Sequence, residues 1–132
     1  MRILIDESVN RRFEQELADR SVSTVRAEGW LGLRNGALLP AAIAANFDVL
    51  ITRDRALPFR QNLEKLGIAV LVLVRVRNRL EDLRMLTSQV RSILPLLRPG
   101  DAYEIAPLPG DVICDRPMTQ LLAAVAAGRA FT

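Results

Sequence analysis

The chain has 132 residues, half of them apolar and a quarter charged, with seven glycines and seven prolines; this is the composition of one folded domain rather than of a disordered or fibrous chain. A single cysteine, Cys114, excludes an internal disulfide, and the absence of histidine excludes imidazole general bases, Ser-His-Asp machinery and His-containing zinc sites. The net charge of +3 permits a nucleic-acid partner without requiring one.

Arg2–Asp6 reads as a buried strand, a continuous apolar run that ends in acids. Asn10 is placed to cap a helix reaching about Arg20, with Phe13 and Leu17 inward and Glu16 pairing Arg20 outside. Ser21–Arg26 alternates like a half-exposed strand, and Gly29–Gly36 is a loop. An Ala-rich helix follows to about Asn46, its start made ambiguous by Pro40. Phe47–Thr52 is the next strand, Pro58–Leu66 a helix closed by Gly67, and Ile68–Val74 the most apolar strand. Asn78-Arg79-Leu80-Glu81 has the form of a capping box and opens a helix with Leu80, Leu83, Leu86, Val90, Ile93 and Leu94 on one face. Ala102–Ala106 is a last strand. This alternation predicts an α/β fold with a mostly parallel central sheet and helices on both faces over residues 1–106. Residues 107–132 form an extension, with one helix over Pro117–Ala127 that packs on the domain or on a second copy in a homodimer. No apolar run reaches the ~18 residues of a membrane span and no leader-like segment precedes the first strand, so a cytoplasmic address is expected.

No P-loop is present, because the only lysine, Lys65, precedes Leu66 rather than Ser or Thr. Chemistry in this chain falls to carboxylates. In open parallel sheets ligands bind beyond the carboxyl ends of the strands, where the strand order reverses. Two strands end there in acids, the first in Asp6-Glu7 and the third in Thr52-Arg53-Asp54. Were they neighbours, three carboxylates would converge and repel unless a cation neutralised them. Oxygen ligands suit Mg²⁺ or Mn²⁺, which activate water and neutralise a phosphodiester under attack. The alternative is local, since an acid after a strand often only caps the next helix. Arg11, Arg34, Asn35 and Arg53 lie near this edge as candidates for holding a phosphate backbone. Arg77, Arg84, Arg91 and Arg98, seven apart, read first as a solvated face and second as a phosphate-tracking stripe. Trp30 reads as packing beneath its loop before base stacking.

Met1-Arg-Ile-Leu-Ile-Asp-Glu-Ser8, followed by Leu50-Ile-Thr-Arg-Asp54, resembles the short PIN-like proteins, relatives of the PilT N-terminal nuclease domain. The likeness continues through Trp30–Gly36, Leu57–Leu63 and Asn78–Leu83 and covers about residues 1–106. It implies a three-layer α/β/α sandwich and a carboxylate cluster binding Mg²⁺ or Mn²⁺, with Asp6 as the first ligand and Asp54 the acid after the later strand. The activity it implies is cleavage of single-stranded RNA, often as the toxin of a pair with an antitoxin protein. One position departs: similar chains carry a glutamate after the Asn-Gly of the central loop, and here it is Ala37. A catalytically impaired relative that binds RNA or protein is therefore the alternative. A phospho-receiver domain is the third reading, opposed by the lack of a lysine after the last strand.

Overall fold

The computed structural model describes residues 1–107. The anticipated extension, with its helix over Pro117–Ala127, lies outside the described residues save for Pro107. Five strands, β1 (Arg2–Ile5), β2 (Ser21–Thr24), β3 (Val49–Thr52), β4 (Ala69–Leu73) and β5 (Ala102–Ile105), form one sheet in the order β2-β1-β3-β4-β5. Every pairing is parallel. Strands β3 and β4 are buried along their whole length, which is why they read as unbroken apolar runs; β2, at an edge, has one exposed residue and two half-buried ones.

Because successive side chains of a strand point to opposite faces, the sheet divides the core in two. Ile3, Ile5, Val49, Ile51, Leu71 and Ile105 meet a 3₁₀ segment at Arg11–Leu17 and the Leu83–Leu94 stretch. Leu4, Leu50, Val70 and Val72 meet helix α1 (Asn35–Ala44) and the short helices α2 (Leu57–Arg60) and α3 (Leu63–Leu66). The result is a three-layer α/β/α sandwich, as expected. Among the described residues no helix is long and apolar enough to cross a membrane.

The chain leaves β1 in one direction, to β2, and then crosses back past β1 to β3, β4 and β5. The point of reversal lies between β1 and β3. The connections to β3 and β4 cross on the α1–α3 face, whereas α4 (Leu80–Leu83) and α5 (Thr87–Ile93), which lead in the same direction to β5, pack on the other face. The last crossover is therefore opposite in hand to the rest, a departure from a rule that parallel sheets almost always obey.

Several local expectations differ in detail. The first helix is a 3₁₀ segment, correctly capped by Asn10, whose side chain accepts from Arg12 N–H. Glu16 does not pair with Arg20. It accepts from Arg84 Nε at 3.1 Å and Thr87 Oγ1 at 3.1 Å, a partner on the neighbouring helix winning over one in its own turn. Helix α1 starts at Asn35 and carries Pro40 inside it. The Pro58–Leu66 helix is two helices, because Gln61 is extended and Asn62 caps α3 afresh through Lys65 N–H; Gly67 closes it with φ +78°. The capping box at Asn78 does not form. Arg79 occupies the N-cap without a side-chain bond, while Asn78 Oδ1 accepts from Asn10 N–H at 2.6 Å and ties together the loops after β1 and β4. The apolar stripe of that helix is buried at Leu83, Leu86, Val90, Ile93 and Leu94, although a 3₁₀ turn at Arg84–Leu86 divides it.

A candidate acidic site at the carboxyl edge of the sheet

Strands β1 and β3 are neighbours, with Ile5 level with Ile51, and Asp6 N–H continues the ladder to Ile51 C=O at 2.9 Å. This brings the acid after β1 and the segment Thr52–Asp54 to one edge, at the reversal point. Asp6 is 8% exposed. Its Oδ2 accepts from Ser8 Oγ at 2.6 Å and from Thr52 Oγ1 at 2.8 Å. Those hydroxyls lie 3.3 Å apart and accept in turn from the backbone: Arg53 N–H donates to Ser8 Oγ and Asp54 N–H to Thr52 Oγ1, each at 3.1 Å. A continuous net of hydrogen bonds thus joins the two strand ends.

Asp54 is half-buried. Its Oδ1 accepts from Ala56 N–H at 2.9 Å, the local turn bond expected of an aspartate ahead of a helix, while its Oδ2 accepts from Asn35 Nδ2 at 2.9 Å. The capping role and the convergence on β1 therefore coexist. Asn35, in the first turn of α1, is the side chain that orients Asp54, and the exposed Ala37 lies in the same turn.

The other anticipated residues are dispersed. Glu7 is exposed, and its Oε1 accepts from Gly32 N–H at 3.0 Å, which fastens the central loop to β1 rather than completing a trio of acids. Among the described residues no three His, Cys, Asp or Glu side chains are grouped to hold an ion. Arg53 directs its guanidinium to Val76 C=O at 2.8 Å, with its Nε buried and unpartnered. Arg34 sits exposed at the N-cap of α1, and Arg11 lines a cleft described below. Trp30 packs edge-on against Phe47, with ring centroids 6.1 Å apart. Of the arginine series, Arg77 bonds Asp82, Arg84 bonds Glu16, and Arg91 grips Asp19 with two nitrogens at 2.7 Å. The last two strap the β4–β5 helices to the segment around Arg11–Leu17, so these arginines serve the fold.

The donor set is chemically pointed. Asp6 is a buried carboxylate whose partners are two neutral hydroxyls, and among the described residues it has no ion pair. A buried charge without a counter-ion is costly unless a cation joins it. Mg²⁺ asks for one or two carboxylates, with water and phosphate oxygens filling the rest. Asp6 and Asp54 are two carboxylates that the pairing of β1 with β3 brings to this one edge.

Ser8 and Thr52 were not among the anticipated site residues. Thr52 reads in the sequence only as the last position of a strand. The available signal was Thr52 itself, a hydroxyl ending an otherwise apolar strand of which every residue is buried. Comparison of the chain with known families, curated proteins and solved structures returns no match.

Proposed function

We propose that this chain is a PIN-like, divalent-metal-dependent ribonuclease for single-stranded RNA, of the kind that serves as the toxin of a toxin–antitoxin pair. The observation that carries the reading is the burial of Asp6 without a counter-ion among the described residues, hydrogen-bonded into the same net as the Asp54 backbone at the reversal point of a parallel sheet. Asp6 and Asp54 are the residues that would hold Mg²⁺ or Mn²⁺. Bound there, the ion supplies an activated water and neutralises charge on the phosphodiester. The chain's own contribution is positional: Ser8 and Thr52 fix the Asp6 carboxylate, and Asn35 fixes that of Asp54.

Purified protein is expected to cleave mixed single-stranded RNAs with Mg²⁺ or Mn²⁺ and to stop with EDTA. Asp6→Asn and Asp54→Asn should each cost roughly a hundredfold or more in rate, the scale of lost transition-state stabilisation. Absence of metal-dependent cleavage across diverse RNAs refutes the proposal.

The attachment of Glu7 to Gly32, together with Ala37, favours a second reading, an impaired relative that retains binding alone. Gain of cleavage in Ala37→Glu from an inactive parent would establish it. The phospho-receiver reading loses ground on geometry. Lys65 lies in α3, ahead of β4 and so at the opposite edge of the sheet from Asp6 and Asp54, and the last crossover lies on the opposite face from the two before it.

A further inference from the structure

Beside Asp6, on the β2 side of β1, a cleft of about 240 Å³ opens among Asp6, Glu7, Arg11, Arg26, Leu31 and Asn78. Two acids and two arginines line one small hollow, yet among the described residues none of the four forms an ion pair, although five other acid–arginine pairs do. Among the described residues Arg11 and Arg26 have no side-chain hydrogen bond either, which leaves both guanidinium groups open to a ligand. The two amides that line the cleft are spoken for, since Asn78 holds Asn10, which caps the segment beginning at Arg11. Leu31, 48% exposed, leaves an apolar surface at the rim.

A single ligand chemistry satisfies all three features. The acids call for a cation, the arginines for an anion, and Leu31 for a flat apolar body; a metal-bound phosphate carrying a nucleobase presents each of these. We infer that this cleft is the subsite for the nucleotide next to the scissile phosphate, with Arg11 and Arg26 holding that nucleotide's phosphate while Leu31 packs on its base. This rests on the proposed nuclease reading for the identity of the strand, and it adds Arg26, which lies in no motif, and gives Leu31 a contact with the ligand. It also gives the loop bond between Glu7 and Gly32 a use, because that bond holds the segment bearing Leu31 at the mouth of the cleft.

The test is binding of a fluorescein-labelled RNA decamer, followed by anisotropy in EDTA across a salt series, with AMP and a DNA decamer as separate ligands. The proteins are the wild type, Arg11→Ala, Arg26→Ala and Arg26→Lys; the arginines are exposed, and unchanged circular dichroism checks folding. Each alanine variant should weaken RNA binding about tenfold and lower the salt slope by roughly one, with partial rescue by lysine. In Mg²⁺ the same variants should raise KM for RNA more than they lower kcat. AMP competing at millimolar concentration, in an Arg26-dependent way, would assign the cleft to single nucleotides as well as strands. Affinity and salt slope unchanged in both alanine variants overturn the subsite, and if metal-dependent cleavage persists the nuclease reading stands without it. Arginine-dependent binding without any metal-dependent cleavage has the converse meaning: the subsite holds and the nuclease reading falls.

Discussion

Thr52 is the side chain on which both halves of the acidic site rest, and Thr52→Val isolates what its hydroxyl does. The residue is fully buried, and valine has nearly the same shape, so packing is preserved. The hydroxyl donates to the Asp6 carboxylate at 2.8 Å and accepts from Asp54 N–H at 3.1 Å. A hydrogen bond to a charged group contributes about 1.5–3 kcal/mol, and stranding a half-buried N–H adds about 1 kcal/mol. Replacing the hydroxyl by a buried methyl returns about 0.8 kcal/mol. The expected net loss is about 2–3 kcal/mol. At a urea dependence of about 1.5 kcal/mol per molar, this lowers the unfolding midpoint by about 1.3–2 M. Thr52→Ser keeps the hydroxyl and removes only a methyl, for a loss of about 1 kcal/mol. The comparison decides between polar net and packing. A valine variant within about 0.5 kcal/mol of wild type, or a serine variant worse than the valine one, refutes the claim that the hydroxyl organises this edge.

Two further perturbations probe the scaffold. The Arg91 guanidinium, hydrogen-bonded to Asp19, holds that carboxyl down at about 2, against an ordinary value of 3.8. A depressed carboxyl stabilises the fold above its unfolded pKa and ceases to do so as pH falls through the folded value. The difference in urea midpoint between wild type and Arg91→Gln should therefore be constant from pH 7 to about 5 and narrow between pH 4 and 2 towards what the Arg91 bond to Glu16 C=O contributes; a gap that does not narrow contradicts the assignment. Gly100 and Gly67 both adopt positive φ, +91° and +78°, but a Cβ at Gly100 would lie 2.9 Å from the Glu64 backbone and one at Gly67 would meet nothing within 4 Å. Gly67→Ala should cost about 1 kcal/mol of backbone strain and Gly100→Ala distinctly more, as read by thermal unfolding; equal losses would show that the Glu64 contact yields freely.

The residues that revealed themselves in the sequence are those whose environment is set by chain-local periodicity. Apolar runs at β1, β3 and β4 mark strands buried on both faces, and the stripe from Leu83 to Leu94 marks a helix face whether or not its middle turn tightens to 3₁₀. Alternation of these units leads to the parallel three-layer sandwich and places Asp6 and Asp54 at strand ends without any knowledge of strand order. What local pattern cannot carry is competition between a near partner and a distant one. Asn78 has the spacing of a capping residue and yet bonds Asn10, and Glu16 passes over Arg20 for Arg84. In each case a partner 68 residues away offers a bond as good as the local one, and packing against the sheet has already met the entropy of bringing them together.

The same competition hid the chemistry of the site. Ser8 and Thr52 are 44 residues apart and each has an ordinary local explanation; only pairing of β1 with β3 sets both hydroxyls on one carboxylate oxygen. The face chosen by the last crossover is equally invisible, since Leu83–Leu94 would look the same packed on either side of the sheet. Yet that choice has a consequence for the site. It carries the loop after β4 over the β1 side of the molecule, where Asn78 reaches Asn10 and Val76 receives the Arg53 guanidinium. With α4 and α5 on the α1–α3 face instead, the loop would lead away from these partners, Asn78 would be free to cap its own helix, and the cleft beside Asp6 would lose one wall.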